Sequence, residues 1–491
     1  MGLETNKRGL YTQQAALYTT GHNISNANTL GYSRQRVNME ATLGFPGLGL
    51  NSGTMPGYLG TGVQSGSIQR IRDSFVDHQY RQESNKFGYW ESQSKAISQM
   101  EDVFNEPSEY GLQKSLSEFW QSLQDVATNP NESGARAVAI RRGEAVADSF
   151  NYMYKSLTDI QTNLGTEIQH TTKDMNSILK QIAQVNEQIK NVEPNGYVPN
   201  DLYDQRDLLL DELSTLVPIE VEYHSSGGRA VEGVAEGWAV VSLKLNDGSK
   251  VELVNGNRAA KVEENFDQAS GDINKAATGI SINGSMIGFD DLADSGKLKS
   301  LMNSYGTADG QGLYPEMLAE LDKLAQAFMD EFNKVYGEGY PLEGEDGPKA
   351  FFVGNSAGNI KVNKEIVDNP SAFRASSEKD EEGNGKNAQK LANIQFSSAD
   401  GLGGATIESF FQGMIGDLGV NGLEANKLVG NTATLLMAVE ERRASISSVS
   451  LDEEMTDMIR FQQAYNASAR MITVVDETLD KIINGMGIVG R

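Results

Sequence analysis

The chain of 491 residues contains no cysteine and only four histidines. Without cysteine there can be no disulfide, no thiolate metal site and no cysteine nucleophile. None of the histidines has a second histidine four residues away, the spacing that lets two imidazoles of one helix bind a metal ion. They are His22, His78, His170 and His224. These shortages argue against a metalloenzyme, so no metal or other cofactor is expected.

Long apolar runs are missing too. No stretch approaches the roughly 20 consecutive apolar residues of a membrane-spanning helix. The first residues, MGLETNKRGLYTQQ, lack the apolar region of a secretory signal. We therefore expect the protein either to stay in the cytoplasm or to leave by a route that needs no cleaved signal peptide.

Basic residues are outnumbered, with 42 Lys and Arg against 67 Asp and Glu and a formal net charge of −25. A charge of this sign repels phosphate backbones and anionic lipid surfaces, so neither nucleic acid nor a membrane is expected as a partner. The length allows about two to four domains, each with its own hydrophobic core.

Motifs of catalysis are incomplete. The Gly-Lys pairs at 296–297 and 385–386 are not followed by the hydroxyl residue of a phosphate-binding loop. Residues 354–358 match the G-x-S-x-G pattern of serine hydrolases, but no histidine follows Ser356 to act as its base. The carboxylates of 376–382 lack the pattern of a calcium loop and are typical of a solvated loop tip. The sequence therefore predicts no enzyme.

Apolar residues recur at every seventh position in both terminal segments. They are Leu3, Leu10, Leu17 and Ile24 near the start, and Leu451, Met458, Tyr465, Ile472, Leu479 and Met486 near the end. This spacing places one apolar stripe along a helix, which a lone terminal helix cannot bury. We therefore predict that the two segments pair as a coiled coil and serve as assembly helices.

A second, offset stripe on the C-terminal helix, at Gln462, Ala469 and Asp476, is underfilled. Neighbouring copies of the chain can complete it, which predicts frayed termini in the isolated protein. An ordinary bundle within one molecule remains the alternative interpretation of the heptads.

Helical periodicity also marks much of the remaining chain. It predicts a helix near Ile68–Phe75, others at 97–104, 112–126 and 202–216, and one from Arg136 to Val192 that would be about 85 Å long at about 1.5 Å per residue. Helices are predicted again at 313–335 and from Leu423 to the end, with a boundary near 447–450. Ser450 and Glu453 fit the S-x-x-E capping box at the start of the last helix.

Alternating apolar residues replace the helical period after Leu216. They predict strands at 219–223, 240–245 and 251–253, with a hairpin turn at 246–249, and a second hairpin at Asn283-Gly284. Residues 43–66 are rich in glycine and predict an extended connector. Residues 337–400 are expected to form irregular loops or a minor insertion.

The predicted fold is mainly α with an inserted β domain, in an elongated multidomain chain whose body is a long-helix bundle and whose small β-rich domain lies outermost. The expected domains are a terminal coiled coil (1–42 with 450–491), a helical body (43–217 with 306–449) and the β domain (218–305).

Several longer segments match a known family. The run 17–35, LYTTGHNISNANTLGYSRQ, closely resembles the N-terminal signature of bacterial flagellar rod, hook and hook-associated proteins, whose motif residues are Asn23, Asn26, Asn28, Gly31 and Tyr32 here. The segments 129–136, 204–213 and 461–470 resemble the hook-associated members at the junction between hook and filament. Leu30 stands where the family commonly has proline. The resemblance covers about two thirds of the chain and leaves the β insertion unmatched.

The resemblance implies a structural axial protein of the flagellum that forms a junction ring and enables filament assembly. It implies copies of the chain itself as partners, the hook protein below, and the second junction protein (hook-associated protein 3) above. It also implies type III export in an unfolded state, with an export chaperone held at the C-terminal helix beforehand. From the residues alone, an intracellular helical scaffold or binding module without enzymatic activity remains the alternative, and it would bury its end helices in the monomer.

Overall fold

The computed structural model describes residues 2–45, 60–104, 111–266, 277–307, 309–341, 347–379, 381 and 383–485. The α-helices are α1 (Gly2–Ser25), α2 (Ser74–Phe104), α3 (Leu112–Thr128), α4 (Ser133–Val192), α5 (Asn200–Leu216), α6 (Lys297–Tyr305), α7 (Leu313–Glu338), α8 (Lys364–Asp368), α9 (Lys386–Asn393), α10 (Ile407–Ser447) and α11 (Leu451–Asp480), and α11 continues as a π-helical turn, Lys481–Gly485. Nothing in the described part of the chain is a helix long and apolar enough to cross a membrane.

Short antiparallel sheets accompany these helices. The strands are β1 (Gln35–Ala41), β2 (Val63–Arg70), β3 (Ile219–His224), β4 (Trp238–Lys244), β5 (Lys250–Asn255), β6 (Arg258–Ala259), β7 (Val262–Phe266), β8 (Ala277–Ile282), β9 (Ser285–Gly288), β10 (Phe352–Val353) and β11 (Lys361–Val362). Strands β1 and β2 form one pair, β3-β4-β5-β6 a four-stranded sheet, β7-β8-β9 a three-stranded sheet, and β10 and β11 a second pair.

The chain folds into two compact units, and three of its helices run through both. Unit 1 comprises residues 1–85, 174–261 and 432–491, and unit 2 comprises residues 86–173 and 262–431. These limits cut across the predicted domains. The strands expected as one β domain at 218–305 form two separate sheets, one in each unit.

Unit 1 contains the pair of terminal helices. Helix α1 packs against α11, β1 and β2. A Cβ atom built on Gly2 would lie 3.7 Å from Val475 Cγ2, and one built on Gly9 would lie 3.4 Å from Ser468 Oγ. The contact moves back along α11, from residue 475 to residue 468, as it moves forward along α1, from residue 2 to residue 9. The two helices are therefore antiparallel. The predicted pairing of the termini is confirmed.

Unit 2 is built around aromatic side chains. Phe119 of α3 lies within 5.3 Å, centroid to centroid, of Phe332 on α7, and Phe328 lies 4.9 Å from Phe352 on β10. All four are fully buried. Such rings contribute large apolar area together with favourable edge and tilted contacts, so this cluster contributes strongly to the core of unit 2.

Several local predictions are confirmed. The long helix is present as α4, with 60 residues. The turn at 246–249 joins β4 to β5, and Asn283-Gly284 joins β8 to β9. Asn283 and Gly284 both have positive φ, 52° and 85°, as the tight hairpin turns favoured by Asn-Gly require.

Other local predictions are wrong. Ile68 lies in strand β2 rather than in a helix, because β1 pairs with this segment antiparallel, Val37 opposite Ile68. The same strand occupies the end of the predicted connector 43–66, of which 46–59 lie outside the described residues. The interval 337–400 is not simply irregular, since it contains α8, α9 and the β10-β11 pair.

The prediction of a capping box at the start of the last helix is confirmed only in part. Ser450 is the N-cap of α11, but its side chain makes no capping hydrogen bond. Glu453 instead receives a hydrogen bond from Arg34 Nη1 at 2.7 Å. The carboxylate of Glu453 is thus directed to a guanidinium from a distant part of the chain and not to the start of its own helix.

Candidate functional site: a buried charge network beside the terminal helices

The signature segment folds back on itself after α1 around one buried amide. Asn23 Nδ2 donates to the carbonyl oxygen of Gln35 at 2.9 Å, and its Oδ1 accepts from Gln35 N at 3.0 Å and from the Tyr32 hydroxyl at 2.8 Å. Asn23 thereby pairs with β1 as a neighbouring strand would. His22 Nδ1 lies 2.9 Å from the Tyr32 hydroxyl, and burial raises the pKa of this tyrosine above its ordinary value.

The other signature residues shape the turn. Asn26 Nδ2 donates to the carbonyl of His22 at 3.0 Å and so helps to end the helix. Gly31 has a φ of +79°, and a Cβ atom there would lie 3.4 Å from Leu208 Cβ, so glycine suits this position on both counts. Asn28 is exposed at the outside of the turn.

The turn is attached to the second signature-like segment, which forms α5. Ser33 N donates to Asp204 Oδ2 at 3.1 Å, and Arg70 Nη1 donates to Asp204 Oδ1 at 2.7 Å. Burial raises the pKa of Asp204, and the attraction of Arg70 offsets this only in part. Two of the four segments that carry the family resemblance, 17–35 and 204–213, thus meet in one site.

Asp207, one turn further along α5, is shared by three arginines. Its Oδ2 lies 2.9 Å from Arg70 Nη1 and 3.1 Å from Arg72 Nη1, and its Oδ1 lies 3.2 Å from Arg81 Nη2. Burial alone would raise the pKa of Asp207, but the surrounding guanidinium groups, Arg206 included, outweigh it and hold that pKa far below its usual range. Asp207 therefore stays ionised as the centre of the network.

Arg206, the residue before Asp207 on α5, is fully buried. Its Nη1 donates to the carbonyl of Gly237 and its Nη2 to Glu236 Oε2, both at 2.6 Å. Its guanidinium carbon lies 5.2 Å from the Tyr203 ring centroid and 4.7 Å from that of Tyr223. Because Glu236 also pairs with Arg70, this carboxylate fastens the loop before β4 to the network.

The C-terminal segment joins through Arg443 near the end of α10. Its Nη2 lies 2.7 Å from Asp211 Oδ2 and its Nε 2.9 Å from Asp77 Oδ1. Asp211 in turn accepts from Arg81 Nε at 2.9 Å. Ion pairs therefore connect all three chain segments of unit 1, and together they form what we call the charge network: Arg70, Arg72, Arg81, Arg206, Arg443, Asp77, Asp204, Asp207, Asp211 and Glu236.

The network is balanced in charge, and its groups are engaged with one another. A cavity of about 720 Å³ borders it, lined among others by Arg70, Arg81 and Tyr223. Among the described residues no group of three or more His, Cys, Asp and Glu side chains is placed to hold a metal ion. The arrangement positions chain segments; it presents no activated nucleophile.

The network was not predicted from the sequence, although its signal is present. Asp204, Asp207 and Asp211 follow the i, i+3, i+7 spacing of one helix face, and Arg70 and Arg72 alternate in an R-x-R pattern typical of one side of a strand end. Three acids on one face of a helix otherwise rich in leucine fit either a solvated face or a buried face with cationic partners.

The heptad residues lie between full burial and exposure. Half-buried members are Leu10, Leu17, Ile24, Met458, Tyr465 and Ile472, and exposed members are Leu3, Leu451 and Leu479. Met486 lies outside the described residues. The deeply buried positions of α1 are small or polar instead: Thr12, Ala16, Thr19, Thr20 and Asn23.

The G-x-S-x-G segment forms a turn closed by its own neighbour. Asn359 Oδ1 accepts from the backbone amides of Asn355 at 2.9 Å and Ser356 at 3.0 Å. The amide that would stabilise an oxyanion in a hydrolase of this type is that of the next residue, Ala357, and it donates to Asp322 Oδ1 at 2.7 Å, which adds a geometric argument against a hydrolase at Ser356.

Two family models match parts of this chain. The family model described as Flagellar hook-associated protein FlgK helical domain matches residues 97–352, and that described as Flagellar basal body rod FlgEFG protein C-terminal matches residues 442–485.

Relatives match over the whole chain. Flagellar hook-associated protein 1 of Bacillus subtilis is 46% identical over 509 residues, covering 100% of this chain and 99% of the relative. Flagellar hook-associated protein 1 of Salmonella typhimurium is 24% identical over 573 residues, covering 97% and 98% respectively. The solved structure of the flagellar hook junction protein FlgK from Burkholderia pseudomallei aligns with a TM-score of 0.59 at 14% identity, covering 76% of this chain and 100% of that one, which shows a shared fold.

Proposed function

Because the chain belongs to the flagellar hook-associated protein 1 (FlgK) family and is a structural protein of the flagellar hook-filament junction, we propose that its copies form an axial ring at the hook tip through the paired terminal helices. The hook protein would contact this ring from below, and hook-associated protein 3 would contact it from above. The ring would act without catalysis, as a mechanical adaptor on which the filament assembles.

The apolar surface left open by the terminal pair is the observation that carries the proposal. On α11, Met455, Ile459 and Met471 are 52%, 56% and 50% exposed, and on α1 Tyr11 and Tyr18 are 58% and 78% exposed. Exposed apolar residues clustered along one helix pair are typical of a protein interface rather than of a free surface. The half-buried heptad residues of α1 and α11 belong to the same surface.

A second copy of the chain suits this surface because it brings the same two helices. In a ring each protomer uses one flank of the pair for the preceding copy and the other flank for the following copy, which is a heterologous contact. The half-buried ladder residues, among them Met458, Tyr465 and Ile472, would become buried in the ring.

The composition also supports export through a narrow channel before assembly. A chain without cysteine cannot be trapped by disulfides, and terminal helices with little burial of their own unfold at low cost. We propose type III export without a cleaved signal peptide, and an export chaperone that covers the apolar residues of α11 beforehand. Once exported, the protein would be extracellular.

The test replaces Ile472 by Asp in the bacterium that supplies the chain. Placing a carboxylate in an apolar helix seam costs several kcal/mol, so we expect the variant to be exported but absent from the hook tip, with loss of swimming in soft agar. Val353→Asp is the matched control, since it places the same charge on an apolar side chain that is 40% exposed in unit 2. Wild-type swimming and wild-type labelling of the hook tip in Ile472→Asp would refute the proposal.

A further inference from the structure

The two heptad ladders leave the register of the terminal helices undetermined. In the structure Gly2 lies against Val475 and Gly9 against Ser468. Sliding α11 by seven residues brings each ladder residue to the place of the next, so the apolar pattern fits the slipped arrangement almost as well. Something other than the ladders must select the observed register.

An ion pair between a buried carboxylate and the partly exposed Arg34, whose side chain is 21% exposed, has the properties needed for this selection. Within Leu451–Asp480 the one buried residue is Glu454, which is 2% exposed. Its Oε1 accepts a hydrogen bond from Arg34 Nε at 2.7 Å, and Arg34 Nη1 reaches Glu453 Oε2 at 2.7 Å. The backbone amide of Arg34 also donates to the carbonyl of Ser447, the last residue of α10, at 2.9 Å.

Arg34 itself is held in place by the turn described above. Its neighbour Ser33 is bonded to Asp204 and its neighbour Gln35 to Asn23. The guanidinium is therefore a fixed point against which α11 is aligned, and it sits where the chain passes from α10 to α11.

A shift of α11 by one heptad is unfavourable in either direction. Moving α11 by one heptad in one direction brings Arg460 and Phe461 to the positions of Glu453 and Glu454, so Arg34 would face another arginine. Moving it in the other direction brings Ile446 and Ser447 there. Either slip leaves the guanidinium without a carboxylate, and removing one partner of a buried pair is strongly unfavourable.

We propose that the Arg34–Glu454 pair fixes the register of α11 against α1, and thereby decides which side chains the terminal helices present to their neighbours. Buried polar pairs in helix assemblies are best attested in this role, as selectors of register rather than as sources of stability. The serine-rich joint 445–450 contains few strong helix formers and can lengthen or shorten α10 by the turns that a slip requires.

Disulfide trapping in the monomer tests the proposal, since the chain has no cysteine of its own. The pair Gly9→Cys with Ser468→Cys reports the observed register. The pairs Gly9→Cys with Val475→Cys and Gly2→Cys with Ser468→Cys report slips of one heptad in either direction. Cross-linking requires Cβ atoms about 3.5–4.5 Å apart, so each pair discriminates among registers.

In the background of native Arg34 we expect the Gly9–Ser468 pair to cross-link and the slipped pairs to remain reduced. With Arg34→Ala the slipped cross-links should rise at least about tenfold. Glu454→Gln keeps the size of the side chain and removes its charge, but Arg34 keeps its contacts with Glu453 at 2.7 Å and Asp457 at 3.9 Å, so the slipped cross-links should rise by a smaller factor. Arg34→Lys, which retains a cation near Glu454, should keep the observed register dominant. Arg36→Ala, an exposed arginine two residues away, is the matched control and should behave as the wild type.

Two results would overturn the proposal. One is that Arg34→Ala and Glu454→Gln cross-link only in the observed register. The other is that both variants lose every cross-link, which would mean that the pair holds the helices together instead of choosing between registers. The cross-linking is measured on the monomer and does not depend on the proposed ring. A negative result would therefore not bear on the ring, which the Ile472→Asp variant tests separately.

Discussion

We expect the replacement of Asp207 to lower the stability of unit 1 more than replacement of any other residue of the charge network, because three arginines share its carboxylate. Replacing it by alanine removes contacts of 2.9, 3.1 and 3.2 Å to Arg70, Arg72 and Arg81. The network then contains five guanidinium groups and four carboxylates. The excess positive charge would be buried, since Arg70 and Arg81 have side-chain exposures of only 4% and 10%.

The magnitude follows from the cost of an unpaired buried charge. Breaking a buried ion pair by removing one partner typically costs about 3–5 kcal/mol. The remaining carboxylates, Asp204, Asp211 and Glu236, still bind the same arginines, so we expect the lower half of this range, about 3 kcal/mol. That is a large fraction of the total stability of an ordinary domain, about 5–15 kcal/mol.

Urea unfolding measures the effect in a background where Trp238 is the only tryptophan, with Trp90 and Trp120 replaced by Phe. Trp238 belongs to unit 1, so its fluorescence reports the unfolding of this unit. The free energy of unfolding is the product of the urea midpoint and the slope m. Glu220→Ala is the control, because it breaks an exposed pair with Lys250 and should leave the urea midpoint close to the wild-type value. A loss below about 1 kcal/mol for Asp207→Ala would refute the idea that the network organises unit 1.

Two further outcomes are expected. Because the pKa of Asp207 is lower in the folded protein than in the unfolded chain, its contribution to stability is complete above the ordinary aspartate pKa of about 3.9 and is lost as the pH falls below it. Asp204, whose folded pKa is raised, opposes this in part, and the urea midpoint of the Trp238 transition should still be lower at pH 3 than at pH 7. In unit 2, Phe332→Ala should cost about 3–5 kcal/mol by opening a cavity in the aromatic cluster, measured by hydrogen exchange of α7; exchange unchanged from wild type would contradict the role given to that cluster.

Helices and hairpins were predictable where one local rule dominated. Residues 136–192 repeat the helical period without interruption, and Asn246–Ser249 and Asn283-Gly284 carry turn chemistry that few other conformations accept. In these segments local preference and tertiary packing agree, so the sequence pattern was sufficient.

Predictions failed where a distant partner decided the local structure. Ile68 belongs to a segment with helical spacing, but β1 lies beside it and supplies the hydrogen bonds of a strand. Glu453 fits a capping box, but Arg34, more than 400 residues earlier in the chain, binds its carboxylate. No window of neighbouring residues contains this information, because it depends on which segments the fold brings together.

The charge network eluded prediction for a related reason. Its acids lie on one helix face and could be recognised, but their partners come from β2, α2 and α10. A run such as DQRDLLLDEL is compatible with a solvated helix surface and with a buried one. Only the burial of Asp207 and Arg206 distinguishes the two, and burial is a property of the folded chain.

The terminal helices show how internal and external contacts can be divided between residue types. Helix α1 buries Thr12, Ala16 and Thr19 against its own unit, and α11 buries one glutamate, so the apolar residues of both helices are left largely open. A pair held internally by apolar residues would be more stable alone but would have less to offer a neighbour. Small and polar contacts position the pair specifically while contributing little burial energy, and the apolar surface remains available for the next copy. Thr12 Oγ1 donates to the carbonyl oxygens of Arg8 at 2.9 Å and of Val63 on β2 at 3.3 Å. This division predicts that Thr12→Val, which removes these polar contacts between α1 and β2, should make α1 more sensitive to proteolysis in the monomer.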